Sequence, residues 1–302
     1  MFIQLLAIIK KITQNLKIPS INYHLWEPCN MKCKFCFATF QDVKSTVLPK
    51  GHLSKNDSLK VIDEIIKAGY SKITFAGGEP TLCPWIDELI IKAKKGGVTT
   101  MLVTNGARLS KKILNKVEDY LDWVTLSIDS INKETLIETG RMERKQPMSE
   151  NEYLKIINNI HSKNIRLKLN TVVTSQNYNE NLSQFVLQMK PERWKIMQVL
   201  PIKGQNDNAI DNFLIDQKQF QNYIINNSSV TKSGIKVIPE NNDEMTESYV
   251  MIDPAGRFFD NANGIHNYSK PILEVGIKKA FKEVNVKIEK FINRSGIYNW
   301  EK

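Results

Sequence analysis

Cysteine is scarce in this chain and unevenly placed: there are four in 302 residues, and three of them fall within eight positions. A disulfide framework would spread pairs along a small secreted protein, so that class is excluded and a reducing compartment is expected. No apolar run approaches the roughly 20 residues of a membrane-spanning helix. Nor does a basic stretch precede an apolar one, as a secretory signal requires, because Phe2 to Ile9 come first and Lys10 and Lys11 follow. No linker rich in Gly, Pro or Ser, no repeat and no low-complexity segment divides the chain. Dense Lys/Arg runs with interleaved aromatics are also missing, so nucleic acid is not an expected partner. These absences leave a cytoplasmic protein with no stable membrane association and one catalytic domain, expected as a monomer.

What remains is ordinary globular composition, 41% hydrophobic and 25% charged, with 42 Lys+Arg against 32 Asp+Glu. The excess of +10 suits a polyanionic partner, although a general bias toward Lys gives the same sum. Near the start, Phe2, Leu5, Leu6, Ile9, Ile12 and Leu16 recur at helical spacing opposite Lys10, Lys11, Gln14 and Lys17. The pattern predicts an amphipathic helix within residues 1–19 that docks on the rest of the protein, with a membrane surface as the alternative resting place.

Past residue 20, short β-branched runs alternate with helical periodicities, the pattern of βα units on a parallel sheet. Strands are predicted at 21–25, 72–76, 98–104, 123–128, 165–173 and 194–200. Helices fit the gaps at 56–68, 84–95, 109–118, 150–162 and 179–189. The first has Leu59, Ile62 and Ile66 on one face, Ser54 or Asn56 as N-cap and Gly69 as its stop. Six units make an α/β fold, a partial (β/α)6 TIM-like barrel over 20–200, with a less regular C-terminal extension over 201–302.

In such a barrel chemistry collects at the C-terminal ends of the strands. There stand Cys29-Asn-Met-Lys-Cys33-Lys-Phe-Cys36 after the first strand and Gly77-Gly78-Glu79-Pro80 after the second. Thr104-Asn105-Gly106 ends the third strand, Ser127-Ile128-Asp129-Ser130 ends the fourth, and Asn170 sits on the fifth. Three thiolates at CxxxCxxC spacing can wrap one soft metal centre. Zinc in a structural site needs a fourth protein ligand, for which His24, His52 and the more distant Cys83 are the candidates. A [4Fe–4S] cluster with one iron open to a small molecule needs none. Cys83 has no downstream cysteine partner and reads as a structural thiol.

Alternation on the later strands gives a second signal. Arg166, Lys168 and Asn170 share one face of the fifth strand, Arg193 and Lys195 one face of the sixth, and Lys72 precedes Gly77 on the second. Cations are almost never buried unpaired, so several aimed into one lumen call for a polyanion such as a triphosphate.

The cysteine spacing together with the Gly-Gly-Glu-Pro turn resembles the radical S-adenosylmethionine (SAM) enzymes. The longer set Asn22-Tyr23-His24, Cys36-Phe37, Leu167-Lys168-Leu169-Asn170, Arg193-Trp194-Lys195, Ser248-Tyr249 and Tyr298-Asn299-Trp300 resembles the viperin family within them, an antiviral group. The resemblance implies that Cys29, Cys33 and Cys36 hold three irons of a [4Fe–4S] cluster and SAM the fourth. It implies that Phe35, Gly77, Gly78, Glu79, Asn105 and Ser127 surround SAM, the glycines letting the backbone approach its methionine moiety. Asn22, Lys72, Arg141, Lys168, Asn170, Arg193, Lys195 and Tyr249 would surround a ribonucleoside triphosphate. Of these, the resemblance gives the sugar and base to Asn22 and Asn170 and the closing of the pocket to Tyr249, counted with the cysteines as catalytic. The implied reaction takes hydrogen from ribose C4′ and expels the 3′-hydroxyl, giving a chain-terminating 3′-deoxy-3′,4′-didehydro nucleotide, with one electron from a flavodoxin or ferredoxin. Ala76 replaces a phosphate-bonding Ser of animal members, and Pro201-Ile-Lys-Gly-Gln-Asn differs in the loop that the resemblance sets toward the base. The competing readings are another radical SAM enzyme, such as a peptide or cofactor maturase or a glycyl-radical activator, and a non-enzymatic iron–sulfur or zinc protein binding nucleic acid.

Overall fold

The structure, a computed structural model, is described for residues 18–301; the amphipathic pattern of residues 2–17 falls outside that range. All six predicted strands form, as β1 (Ser20–Trp26), β2 (Lys72–Gly77), β3 (Thr99–Thr104), β4 (Trp123–Ser127), β5 (Arg166–Val173) and β6 (Arg193–Gln198). Between them lie α1 (Lys55–Lys67), α2 (Ile86–Lys95), α3 (Lys111–Val117), α4 (Lys133–Glu138), α5 (Glu150–His161) and α6 (Ser183–Met189). Of these α4 is the one helix the periodicity missed, because six residues are too few to show a repeat.

Local chemistry sets the helix ends. Ser54 caps α1 by accepting from Asp57 N, and Ser149 and Glu152 form a reciprocal capping box at the start of α5. The buried stripe of α1 is Ser58, Val61, Ile62 and Ile65. The face expected from Leu59, Ile62 and Ile66 is therefore rotated, and Leu59 and Ile66 lie half-buried at its edge.

Alternation decides which side chains face inward. Ile73 and Phe75 of β2, Leu167 and Leu169 of β5, and Trp194 and Ile196 of β6 are sealed under the helices. Their neighbours Lys72, Lys168, Asn170, Arg193 and Lys195 line the lumen. The parallel register sets Lys168 beside Arg193 and Asn170 beside Lys195. Arg166 departs from this row. At the first rung of β5 it leaves the barrel floor, pairs with Glu192 at 2.8 Å and stacks on Trp123 at 3.9 Å.

The region after residue 201 is more regular than expected. A seventh parallel strand, β7 (Lys236–Glu240), pairs with β6, and β8 (Met251–Ile252) pairs in parallel with β1 at the other edge. Antiparallel β9 (Arg257–Asp260) and β10 (Asn267–Pro271) complete a ten-stranded sheet ordered β10-β9-β8-β1-β2-β3-β4-β5-β6-β7. The sequence hid these strands because β8 has two residues and β7 contains Pro239, which an edge strand tolerates. The final segment closes the floor. Trp123 Nε1 donates to Trp300 O at 2.8 Å, and Tyr298 packs edge-on against Trp123.

Candidate functional site

A cavity of about 310 Å³ runs through the barrel from the cysteine loop to this floor. Every residue expected at the site, from Asn22 to Tyr249, lines it: the three cysteines and Phe35, the Gly77-Gly78-Glu79 turn, Asn105 and Ser127, and the cationic row.

The upper end is built by the loop after β1. Cys29 is exposed, and Cys33 and Cys36 are half-buried. Burial holds the Cys33 and Cys36 thiols above their ordinary range, Cys36 at about 12. No three His, Cys, Asp or Glu side chains are closed up as a metal site among the described residues. Binding of iron to these cysteines would displace the thiol protons. Among the described residues no fourth protein ligand joins them: His52 stacks on Trp26 at 3.7 Å, Cys83 is buried in the core, and His24 sits among Phe37, Phe40 and Phe259. Three cysteines on an open rim therefore fit a cluster with one iron left for a small molecule, and do not fit closed structural zinc.

The loop itself is held by the chain. Gln205 Oε1 accepts from Phe40 N and Thr39 Oγ1, both at 2.8 Å, and Asn206 Nδ2 donates to Phe35 O at 3.2 Å. The Pro201–Asn206 segment, expected near the base, thus spends the side-chain amides of Gln205 and Asn206 on the cysteine loop.

Gly77 and Gly78 have a reason of their own. A Cβ at Gly77 would lie 2.4 Å from Trp26 O, and one at Gly78 2.1 Å from Glu27 O. The turn lies flat against the stem of the cysteine loop, an approach no other residue permits. Beside it the Glu79 carboxylate is saturated, with Oε1 accepting from Thr81 N, Thr81 Oγ1 and Thr104 Oγ1, and Oε2 from Asn105 N at 2.8 Å. It clamps the ends of β2 and β3 together. Asn105 in turn donates to Asn30 Oδ1 at 2.8 Å, next to Cys29.

Arg141 differs most from expectation. The resemblance placed it on the triphosphate, but its buried guanidinium lies at the cysteine end, 2.8 Å from Asp129 Oδ2, donating to Ser127 O and 3.6 Å from Cys33 Sγ.

At the lower end Lys72, Lys168, Arg193, Lys195 and Arg294 converge. One carboxylate answers them. Glu240, fully buried at the end of β7, accepts from Lys195 at 2.6 Å and Arg294 at 3.3 Å. Burial and mutual repulsion hold Lys72 and Lys168 well below the usual lysine range, and bring Lys195 to about 8. Lys72 and Arg193 rest on aromatic faces of the C-terminal segment, Arg193 3.9 Å from the Tyr298 ring and Lys72 4.8 Å from that of Trp300. Two polar atoms in the same lumen, Asn170 Oδ1 and Arg193 Nε, are buried without a hydrogen-bond partner. Tyr249 donates to Glu240 and accepts from Lys195 at 2.6 Å, while Arg294 stacks on its ring at 3.6 Å.

Glu240, Arg294 and the packing role of Tyr298 and Trp300 escaped the sequence reading. Each comes from the extension, and no spacing rule connects residue 240 or 294 to the distant strands that carry Lys72 and Lys195. The inward-facing cations with no visible counter-charge were the one available hint.

The radical SAM superfamily matches residues 25–186. A protein of Flammeovirga pacifica, "S-adenosylmethionine-dependent nucleotide dehydratase", is 55% identical over 97% of this chain and 99% of its own length. One of Lacinutrix mariniflava with the same name is 54% identical over 94% of this chain, which spans 59% of that longer protein. Among solved structures, Streptococcus suis SuiB bound to S-adenosylmethionine superposes with a TM-score of 0.66 at 15% identity, covering 95% of this chain and 71% of that one. anSMEcpe with bound AdoMet gives 0.66 over 87% of this chain and 80% of its own. The chain shares with these structures the incomplete barrel, and by its matches along nearly its whole length it belongs to the radical SAM superfamily and, within it, to the SAM-dependent nucleotide dehydratases of the viperin family.

Proposed function

We propose that this protein dehydrates a ribonucleoside triphosphate, giving the 3′-deoxy-3′,4′-didehydro nucleotide, with a [4Fe–4S] cluster and SAM as cofactors. The observation that carries the reading is the lower cavity, where five cations meet one carboxylate directly below the cysteine loop. Buried cations without counter-charges are costly, and a bound polyphosphate would relieve that cost.

Cys29, Cys33 and Cys36 would hold the cluster, and the Gly77–Glu79 turn, Asn105, Ser127 and Phe35 would border SAM. When bound, these groups supply a 5′-deoxyadenosyl radical by one-electron cleavage of SAM. The chain's own part is positioning. Lys72, Lys168, Arg193 and Lys195 grip phosphate oxygens at the floor, which sends the ribose upward past Asn22 and Asn170 toward the cysteine end. Asn170 Oδ1, unpartnered in the lumen, can accept from a ribose hydroxyl. Tyr249, which accepts from Lys195 and donates to Glu240, would cover the pocket, and a Lys or Tyr beside the ribose would protonate the departing hydroxyl. The extension 201–302 completes this pocket through Glu240, Tyr249, Arg294 and Tyr298, and the barrel 20–200 supplies the rest.

No helix among the described residues is long and apolar enough to cross a membrane. We read the protein as a cytoplasmic monomer that accepts its electron from a flavodoxin or ferredoxin, a reading supported by the four free cysteines and by the exposure of Cys29 at the mouth.

The test uses anaerobically reconstituted protein with SAM, dithionite and each of the four ribonucleoside triphosphates in turn. One nucleotide should raise 5′-deoxyadenosine well above background and itself lose the mass of water. If none changes the slow cleavage of SAM, the lower cavity serves another anion.

A further inference from the structure

The turn Thr139-Gly140-Arg141 is fastened to the cysteine loop by backbone. Lys34 N donates to Thr139 O at 2.9 Å, and a Cβ on Gly140, at φ +73°, would lie 2.3 Å from Lys32 O. A side chain leaving this turn is therefore placed relative to Cys33 by main-chain contacts. Arg141 is that side chain, 7% exposed. Its guanidinium is fixed by Asp129, itself anchored by accepting from Val172 N at 2.8 Å, and by the carbonyl of Ser127, and it points an N–H at Cys33 Sγ, 3.6 Å away. None of its partners belongs to the cationic floor.

We infer that Arg141 is the residue that sets the reduction potential of the cluster, by donating a charge-assisted hydrogen bond to the Cys33 thiolate. The inference rests on the reading that Cys29, Cys33 and Cys36 hold that cluster. Adding an electron makes the cluster and its thiolates more negative, and a donor held against one sulfur stabilises the reduced form and raises the potential. Burial keeps water from screening the contact. A guanidinium stays protonated throughout the accessible pH range, so the effect is constant with pH. Asp129 and Ser127 are positioning groups, since they aim the donor and touch no sulfur.

The experiment is a redox titration of the reconstituted full-length protein, followed by electron paramagnetic resonance without SAM or nucleotide, so that contacts of Arg141 with either play no part. Wild type, Arg141→Gln and Arg141→Lys are compared at matched iron and sulfide content. Arg141→Gln should lower the ratio of reduced to oxidised cluster at the wild-type midpoint by about tenfold, ~59 mV for a one-electron couple. Arg141→Lys, which keeps the charge without the planar fork, should fall between. If Arg141→Gln sheds iron, a lowered midpoint in Arg141→Lys alone supports the inference, and an unchanged one overturns it. Variants that carry a full cluster at the wild-type midpoint also overturn it, leaving Arg141 as a spacer. A wild-type protein that binds no iron–sulfur cluster sinks the underlying reading instead.

Discussion

Lys195 Nζ lies 2.6 Å from Glu240 Oε1, and both side chains are buried where the sixth strand of the barrel meets the seventh. The pair joins a residue legible in the sequence to one that was not. It also sets the charge of the cavity floor, because Arg294 and Tyr249 share the same carboxylate.

Removing that carboxylate should destabilise the empty protein. Glu240→Ala leaves Lys195 and Arg294 buried without a counter-charge, a loss on the order of 3–5 kcal/mol. Urea unfolding measures it directly. A nucleoside triphosphate should restore more stability to the variant than to the wild type, and equal gains for both would show that phosphate does not reach these cations.

Triphosphate binding should take up protons. Burial, with repulsion among neighbouring cations, lowers Lys72 and Lys168 and brings Lys195 to about 8. Phosphate oxygens favour the charged lysines and raise these values. Affinity is then fully present below the free-protein value and is lost as pH rises through the bound-site value, so for Lys195 the decline begins near pH 8. Calorimetric titrations at one pH in buffers of different protonation enthalpy should show net uptake. Zero uptake together with pH-independent affinity would contradict the assignment.

Gly78→Ala should separate sterics from backbone conformation, because φ here is not in the left-handed region. The added methyl meets Glu27 O at 2.1 Å and Pro28 O at 2.6 Å. Pushing the turn off the stem of the cysteine loop should cost about 1–3 kcal/mol and reduce cluster retention after reconstitution. A variant with wild-type stability and iron content would mean the two segments part freely.

The floor depends on its last aromatic residue. Trp300 is 3% exposed and packs against Tyr298 and Lys72. Trp300→Ala should cost about 3–5 kcal/mol, as large aromatic truncations do, and weaken triphosphate binding by freeing Lys72. Unfolding curves and nucleotide affinity test the two effects separately, and unchanged affinity would place Lys72 outside the phosphate site.

By itself the sequence determined the chemistry that depends on neighbours along the chain. CxxxCxxC places three thiols on one loop whatever the fold does around it. Two-residue alternation aims Lys168 and Asn170 into one lumen because a strand admits no other geometry, and the alternation of strand and helix made that lumen a barrel. Tertiary structure decided everything that joins distant segments. Arg141 went to the cysteines because the turn before it docks on Lys32 and Lys34, a contact no local pattern encodes. Gln205 and Asn206 went to the cysteine loop for the same reason. Glu240 and Arg294 came from the extension to meet Lys195, since a buried cation takes whichever carboxylate the packing brings near, and packing belongs to the whole chain.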